Sequence, residues 1–114
     1  RPEKVLFVIL TDGYENDSRY YNKEKVFKMI DKMERKHNWS FIYLGANQDS
    51  FAEGGKMGVK SKKILNYSAD EEGVRFAYTN ISNYASSFRM AKSAKLANDI
   101  GFDDLNNGTT DTNK

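Results

Sequence analysis

The fold is decided by the stretch Val5-Leu6-Phe7-Val8-Ile9-Leu10, which leads directly into Thr11-Asp12-Gly13. Its first six residues are all apolar, and four of them are β-branched or aromatic. A strand with one face in water alternates apolar and polar residues, so this unbroken run predicts a strand covered on both faces, as in the centre of a parallel sheet. Open α/β sheets bind ligands at the carboxyl ends of their strands, which makes Asp12 the first candidate for a functional side chain.

A first helix is predicted after the polar loop that follows this strand. Asn22 is a suitable N-cap, and apolar residues then recur at spacings of three and four from Val26 to His37, which is typical of a helix with one buried face. Most charged residues of the segment, Glu34 among them, fall on the other side and are expected to face solvent. Asn38 can adopt a left-handed conformation and is expected to end the helix.

Two further strand–helix pairs complete the pattern. Ser40–Ala46 is the predicted second strand, and Lys63–Tyr67 is a weaker third strand with the character of an edge. Capping-box patterns that begin at Ser50 and Ser68 predict the starts of the second and third helices. Strands that alternate with helices imply parallel pairing and right-handed crossovers, so the predicted fold is α/β and Rossmann-like, with three layers, a short parallel sheet of about three strands and flanking helices.

The third helix is expected to be long. An apolar stripe that includes Val74, Tyr78 and Phe88 predicts the face that packs on the sheet. The helical pattern continues through small apolar residues toward Gly101. We expect the segment after Arg89 to be less buried than the stripe before it.

The bulk composition narrows the classes of function. The chain has 114 residues, enough for one domain, which we place at residues 1–102, and residues 103–114 are expected to form a disordered polar tail. A net charge of +2 is too small to argue for a nucleic-acid partner. The sequence has no cysteine and no long apolar stretch, so we expect no thiol chemistry, no membrane span and a cytoplasmic location. Because the first residue is Arg1 rather than Met, we expect a piece of a longer protein.

The strand that ends in Thr11-Asp12-Gly13, the helix after it and the strand that leads into Gly45-Ala46-Asn47-Gln48-Asp49 together resemble the von Willebrand factor A domain. The similarity extends from about Lys4 to Arg89 and is greatest with bacterial and phage members, in which Thr-Asp-Gly precedes an acidic residue, Asn and Ser. The resemblance implies that the chain corresponds to the C-terminal half of such a domain, whose complete form is a larger, doubly wound sheet.

The resemblance also implies a site. Family members carry a metal-ion-dependent adhesion site at the carboxyl ends of their strands, and one of its residues, the Asp of the Thr-Asp-Gly loop, corresponds to Asp12. The Asp-x-Ser-x-Ser motif that supplies further ligands in the family does not occur in this sequence. We therefore expect Mg²⁺ in the complete parent domain and no cofactor in this chain alone.

The same end of the sheet is the expected contact surface for a protein partner, so the implied function is that of a binding or assembly module. The residues expected to contact the partner follow the first two strands, and they are Thr11, Tyr14, Glu15, Asn16, Ser18, Asn47 and Asp49. For the last two, the alternative roles are turn stabilisation and the start of the second helix.

An enzyme is the alternative function. It would be a Mg²⁺-dependent phosphotransfer or hydrolase domain of Rossmann type that uses Asp12 as a metal ligand or nucleophile. The nearest acidic neighbour is Glu15, and the single histidine, His37, has no nucleophile motif beside it. We therefore expect no enzymatic activity.

The implied half domain predicts an open sheet edge. In the family, the Thr-Asp-Gly strand lies beside the strand that carries Asp-x-Ser-x-Ser, which is missing here. Val5–Leu10 then has bare backbone groups on one side and no Lys, Pro or inward-pointing charge within it to block pairing. We expect a homodimer in which two Val5–Leu10 strands pair antiparallel about a twofold axis, and the alternative is that another polypeptide supplies the missing half.

Overall fold

The computed structural model describes residues 4–11, 22–46 and 49–105. The strands are β1 (Leu6–Thr11), β2 (Ser40–Ala46) and β3 (Ile64–Tyr67), and the helices are α1 (Lys23–His37), α2 (Ser50–Lys56), α3 (Glu71–Met90) and α4 (Ala94–Asn98). A short 3-10 helix, Ser61–Lys63, leads into β3, and residues 102–105 form a further helical turn. The predicted α/β class is confirmed. Among the described residues, no helix is both long and apolar enough to cross a membrane.

The three strands form one parallel sheet in the order β1-β2-β3. Leu44 pairs with Leu10 on one side and with Leu65 on the other, so β2 is the central strand. All seven residues of β2 are buried, whereas three of the six in β1 are exposed. The expectation that Val5–Leu10 is covered on both faces is therefore wrong. The helices leave Phe7, Val8 and Leu10 exposed, and no described strand pairs with the outer side of β1.

The side chains of β2 alternate between two cores. On the α1 face, Phe41 and Tyr43 pack with Ile30 of α1. On the α3 face, Ile42 and Leu44 pack with a larger set from the C-terminal half of the chain, namely Ala77, Tyr84, Phe88, Ala97, Phe102 and Leu105. The central strand therefore joins the two helical layers into one domain.

The limits of α1 follow the sequence prediction. The side chain of Asn22 accepts hydrogen bonds from the backbone N–H groups of Glu24 and Lys25 at 2.8 and 3.2 Å. Asn38 ends the helix with a left-handed φ of 57°, and its N–H donates to the carbonyl oxygen of Glu34. Both ends are fixed by short polar side chains that favour these backbone conformations.

The starts of α2 and α3 differ from the predicted capping boxes. Asp49 and Asp70 are the N-caps, and their carboxylates accept hydrogen bonds from the N–H groups of Ala52 at 3.2 Å and Gly73 at 2.7 Å. A carboxylate is the better acceptor at a helix N-terminus because it is also attracted by the positive end of the helix dipole. The predicted role of Asp49 in starting the second helix is confirmed.

α3 ends at Met90 and does not continue toward Gly101, because Ala91 is extended, with a ψ of 144°. The ammonium group of Lys4 donates to the carbonyl oxygens of Phe88, Arg89 and Ala91 at 3.1, 2.7 and 2.8 Å. These bonds add a donor to carbonyl oxygens at and just beyond the end of the helix, and a positive charge is favourable at this end.

The expectation that the segment after Arg89 is less buried is wrong. Ala97 and Phe102 are buried in the core of the α3 face, and the Phe102 ring lies 5.3 Å from that of Tyr84. Leu105 is also buried, three residues into the segment predicted to be a polar tail. The chain turns back after α3, which brings these residues onto the sheet, and residues 106–114 lie outside the described part of the chain.

We predict opposite effects for two glycine-to-alanine substitutions. A Cβ at Gly73 would overlap the carbonyl oxygen of Ser68, whereas a Cβ at Gly55 would meet no atom within 4 Å. Gly73→Ala should lower the free energy of unfolding by roughly 1–3 kcal/mol, as overpacking does. Gly55→Ala should raise it by up to about 1 kcal/mol, since alanine is the better helix former. Urea denaturation at one fixed protein concentration measures both, and equal effects would contradict the described packing at Gly73.

Candidate functional site

The site predicted at the carboxyl ends of the strands is described only at two of its residues, Thr11 and Asp49. Thr11 ends β1, and its carbonyl oxygen accepts a hydrogen bond from the Tyr67 hydroxyl at 2.6 Å. Asp49 caps α2. The other predicted residues lie outside the described part of the chain, and they are Asp12, Tyr14, Glu15, Asn16, Ser18 and Asn47.

The described residues at the carboxyl ends of the strands form hydrogen bonds that hold the fold together. The Thr11–Tyr67 bond joins the ends of the two outer strands across β2, and Asn66 accepts a hydrogen bond from the backbone N–H of Ser50 at 3.4 Å. Within residues 4–11, 22–46 and 49–105, no group of three or more His, Cys, Asp or Glu side chains could hold a metal ion. The expected Mg²⁺ role of Asp12 therefore stays a prediction.

The open side of β1 is the feature that distinguishes the surface of this domain. Phe7, Val8 and Leu10 are 50%, 37% and 42% exposed, although they belong to the most apolar stretch of the sequence. Phe7 projects on the α1 face, where its ring lies 5.5 Å from that of Phe41. Val8 and Leu10 project on the α3 face, beside their β2 partners Ile42 and Leu44. The strand is thus incompletely covered on both faces.

At alternate residues of β1, the backbone N–H and C=O groups also point toward this open side. The carbonyl oxygen of Val5 accepts a hydrogen bond from the N–H of Ser40, so Val5 points toward β2. In a strand, the N–H and C=O of one residue share a direction and those of the next residue point the other way. Leu6, Val8 and Leu10 therefore present their N–H and C=O groups away from β2.

α1 contributes an exposed apolar side chain to the same side. Ile30 faces the sheet, and Phe27 and Met29 lie on opposite flanks of the helix. A Cβ at Gly58, just after α2, would lie 3.3 Å from the Phe27 ring, so the Phe27 flank faces the interior of this layer. The flank that carries Met29 consequently faces the free edge of β1, as right-handed crossovers require.

α3 contributes two more exposed apolar side chains, on the opposite face of the sheet. This helix runs from the end of β3 to the start of β1, where Lys4 contacts its last carbonyls. Ala77 and Tyr84 face the sheet, and Val74 and Tyr78 lie on one flank beside them. Because the crossovers are taken as right-handed, the flank of α3 that carries Val74 and Tyr78 faces the outer side of β1.

From these directions we infer that six exposed apolar side chains lie toward the free edge of β1, and we call them the apolar rim. Their exposed fractions range from 37% at Val8 to 57% at Tyr78, and the members are Phe7, Val8, Leu10, Met29, Val74 and Tyr78. The sequence indicated the three strand residues but assigned Val74 and Tyr78 to the sheet-facing stripe. Val74 and Tyr78 lie on the flank because the side of α3 that faces the sheet is the side that carries Tyr84.

A second cluster, buried and polar, lies at the opposite end of the sheet. Lys63 is fully buried, and its ammonium group donates to the side-chain oxygen of Asn98 and lies 3.5 Å from a carboxylate oxygen of Glu34. That carboxylate oxygen accepts no hydrogen bond from the described residues, so its contact with Lys63 is ionic. Ser40 donates to the same Asn98 oxygen at 3.1 Å. The cluster ties α1, β2, α4 and the start of β3 together.

Burial changes the protonation of this cluster. Loss of solvation lowers the pKa of Lys63 from 10.5 to about 8, although the Glu34 carboxylate opposes the shift. Burial also raises the pKa of Tyr84, whose hydroxyl donates to the carbonyl oxygen of Ile100 at 2.6 Å. Lys63 has no exposed atom, which makes it a structural residue and not an accessible nucleophile.

Sequence reasoning missed this cluster. Glu34 was expected to face solvent, and this expectation is wrong because its side chain finds its counter-charge, Lys63, only in the folded chain. A charged residue near a predicted apolar stripe was the only available signal.

Comparisons with protein-family models, with curated proteins and with solved structures gave no match for this chain.

We predict that breaking the buried pair on one side is costly. Lys63→Met leaves the Glu34 carboxylate buried and unpaired, and it should lower the free energy of unfolding by about 3–5 kcal/mol. The double variant Glu34→Gln/Lys63→Met removes both charges and should recover most of that loss. Chemical denaturation of the wild type, the single variants and the double variant completes the cycle. Additive losses would show that the two charges do not interact.

The lowered pKa of Lys63 predicts a stability that rises with pH. Between the folded value of about 8 and the unfolded value of 10.5, the unfolded chain binds the extra proton. Lys63 should therefore add about 2 kcal/mol to the free energy of unfolding between roughly pH 7 and pH 9.5. The raised pKa of Tyr84 acts only above its unfolded value of 10.0, where stability is lost as pH rises. The Glu34→Gln/Lys63→Met variant is the control, and an identical pH slope in both proteins would contradict the shift.

Proposed function

We propose that this chain is a protein-binding or assembly module that resembles the C-terminal half of a von Willebrand factor A domain and binds its partner by strand addition along β1. The observation that carries the proposal is the apolar rim. Of the eleven large apolar side chains that are exposed among the described residues, six belong to this rim by the helix and strand directions given above. Exposed apolar residues that are scattered singly need no explanation, but a contiguous group marks an interaction surface.

The backbone supports the same surface. Leu6, Val8 and Leu10 direct their N–H and C=O groups outward, and β1 contains no charged residue and no proline. Proteins usually protect such an edge with lysine, proline, a bulge or a covering loop. An edge that keeps these groups available is suited to strand addition, in which backbone hydrogen bonds give affinity and neighbouring side chains give specificity.

The resemblance supports the position of the surface. In the family the corresponding strand has a neighbour on this side, and an incomplete metal-ion-dependent adhesion site at Asp12 would lie at the end of the same strand. Tyr14, Asn16 and Ser18 then extend the contact surface beyond Thr11 as a proposal from the sequence. The partner proposed here is a protein, with no membrane and no nucleic acid involved.

A second copy of the chain is the simplest partner that fits. Two copies related by a twofold axis present the same edge to each other, so each provides the strand that the other lacks. Burial of both rims removes apolar surface from water, which is the main favourable term in association. A different polypeptide that supplies one strand is the alternative occupant.

We predict that the rim, and not apolar exposure in general, supports association. Tyr78→Lys places a charge in the rim and should weaken self-association at least about tenfold, equivalent to roughly 1.4 kcal/mol. Phe76→Lys is the matched control because Phe76 lies on the other flank of the same helix and is 48% exposed. Size exclusion with light scattering over a concentration series gives the dissociation constants, and circular dichroism checks that both variants are folded. Equal effects of the two substitutions, or a wild type that stays monomeric at high micromolar concentration, would contradict self-association through the rim.

A further inference from the structure

We infer that the polypeptide strand added at β1 carries acidic side chains at the end that lies beside the amino end of β1. The inference rests on the proposed function and adds to it the chemistry of the partner. It follows from the charged residues at the two ends of the apolar rim.

Positive charge is concentrated at the amino end of β1. Lys4 lies just before the strand, and its ammonium group donates to the carbonyl oxygens of Arg89 and Ala91 at 2.7 and 2.8 Å. These contacts place Arg89, and Lys92 one residue after Ala91, at the same end of the strand. The Arg89 and Lys92 side chains are exposed and form no ion pair within the described residues. Because Lys4 donates to neutral carbonyls, no carboxylate offsets its charge in these bonds.

The flank of α3 that faces the outer side of β1 leads to Arg89. About five turns of 3.6 residues separate Glu71 from Arg89, so both residues lie on one line along the helix. Tyr78 lies within about 20° of this line. The flank is therefore acidic at its start, apolar at Val74 and Tyr78, and basic at its end.

The two charged ends of this flank have different structural explanations. The acidic start is accounted for by the helix itself, because Asp70 is the N-cap and Glu71 pairs with Arg75 at 3.5 Å. At the other end, Lys4 already supplies the positive charge that a helix C-terminus favours. Arg89 and Lys92 are additional to that requirement, and they are left available for a partner.

These charges give the added strand a polarity. Acidic side chains in the partner are attracted to Arg89 and Lys92, and they would be repelled beside Glu71 at the opposite end of the rim. Charge complementarity of this kind fixes orientation and excludes wrong partners more than it adds affinity. The partner strand is thus apolar at alternate positions along the rim and acidic at one end.

The backbone between the charged ends favours a polypeptide over other anionic partners. Leu6, Val8 and Leu10 present N–H donors and C=O acceptors in alternation, and a second strand supplies both kinds of complement at the same spacing. Phosphate oxygens of a nucleic acid or a lipid headgroup can only accept hydrogen bonds. They would leave the outward carbonyl oxygens of β1 without a donor.

Selection from a display library of random extended peptides tests this chemistry. We expect peptides selected on the wild type to have apolar residues at alternate positions and Asp or Glu at one end. The double variant Arg89→Glu/Lys92→Glu should bind those peptides at least about tenfold more weakly, as measured by fluorescence anisotropy. Replacement of the acidic pair in the peptide by Asn should cause a similar loss with the wild type and little further loss with the variant.

Lys32→Glu/Lys36→Glu is the matched control. It makes the same change in net charge near the end of another helix, and both lysines are exposed without an ion pair among the described residues. They lie on the side of α1 away from the buried Ile30 and Glu34. Peptide affinity should stay within about twofold of the wild type, and circular dichroism checks that both double variants are folded.

The other outcomes separate this inference from the proposed function. Selected peptides without an acidic end, or equal losses in the two double variants, would overturn the acidic partner and leave strand addition in place. A library that yields no binder, or peptides that bind Tyr78→Lys as tightly as the wild type, would overturn strand addition at the rim. Displacement of the peptides by oligothymidine or by phosphatidylserine vesicles, lost in Arg89→Glu/Lys92→Glu, would assign these cations to phosphate groups and overturn the inference.

Discussion

The complete burial of β2 is the constraint on which the rest of the structure depends. This strand is buried along its whole length, so its two faces require cover from two separate layers of helices. α1 and α2 supply one layer, and the second layer is built from α3, α4 and the residues that follow them. A sheet of three strands can supply only one such position, and for that reason both outer strands are less protected.

The sequence was most informative where the signal is local. Asn22 and Asn38 fixed the ends of α1, and the bounds of β2 were predicted to the residue, because caps and short apolar runs depend on neighbours in the chain. The α/β class followed from element order. The capping positions of α2 and α3 were placed at serines, although a nearby aspartate provides the stronger acceptor in each case.

What could not be predicted depends on distant contacts. The composition of Val5–Leu10 is that of a central strand, whereas the half-domain resemblance predicted an edge strand, and the sheet order agrees with the second prediction. The pairing of Glu34 with Lys63 joins segments with no shared pattern, so the sequence assigned Glu34 to solvent. The sequence likewise predicted only part of the candidate site. It identified the strand, but the helix flanks that complete the apolar rim depend on how α1 and α3 are rotated about their axes.

The bonds from Lys4 to the end of α3 have a consequence for how the chain acquires its structure. They connect residues that are 84 to 87 positions apart, and they close almost the whole domain into one loop. Contacts of such long sequence separation form slowly, because the entropy of loop closure opposes them until other elements are in place. During synthesis, β1 emerges before α3 and cannot be joined to it until the residues up to Ala91 have been made. For that interval, the most apolar stretch of the chain is without its cover, which makes early β1 the segment most exposed to misassociation.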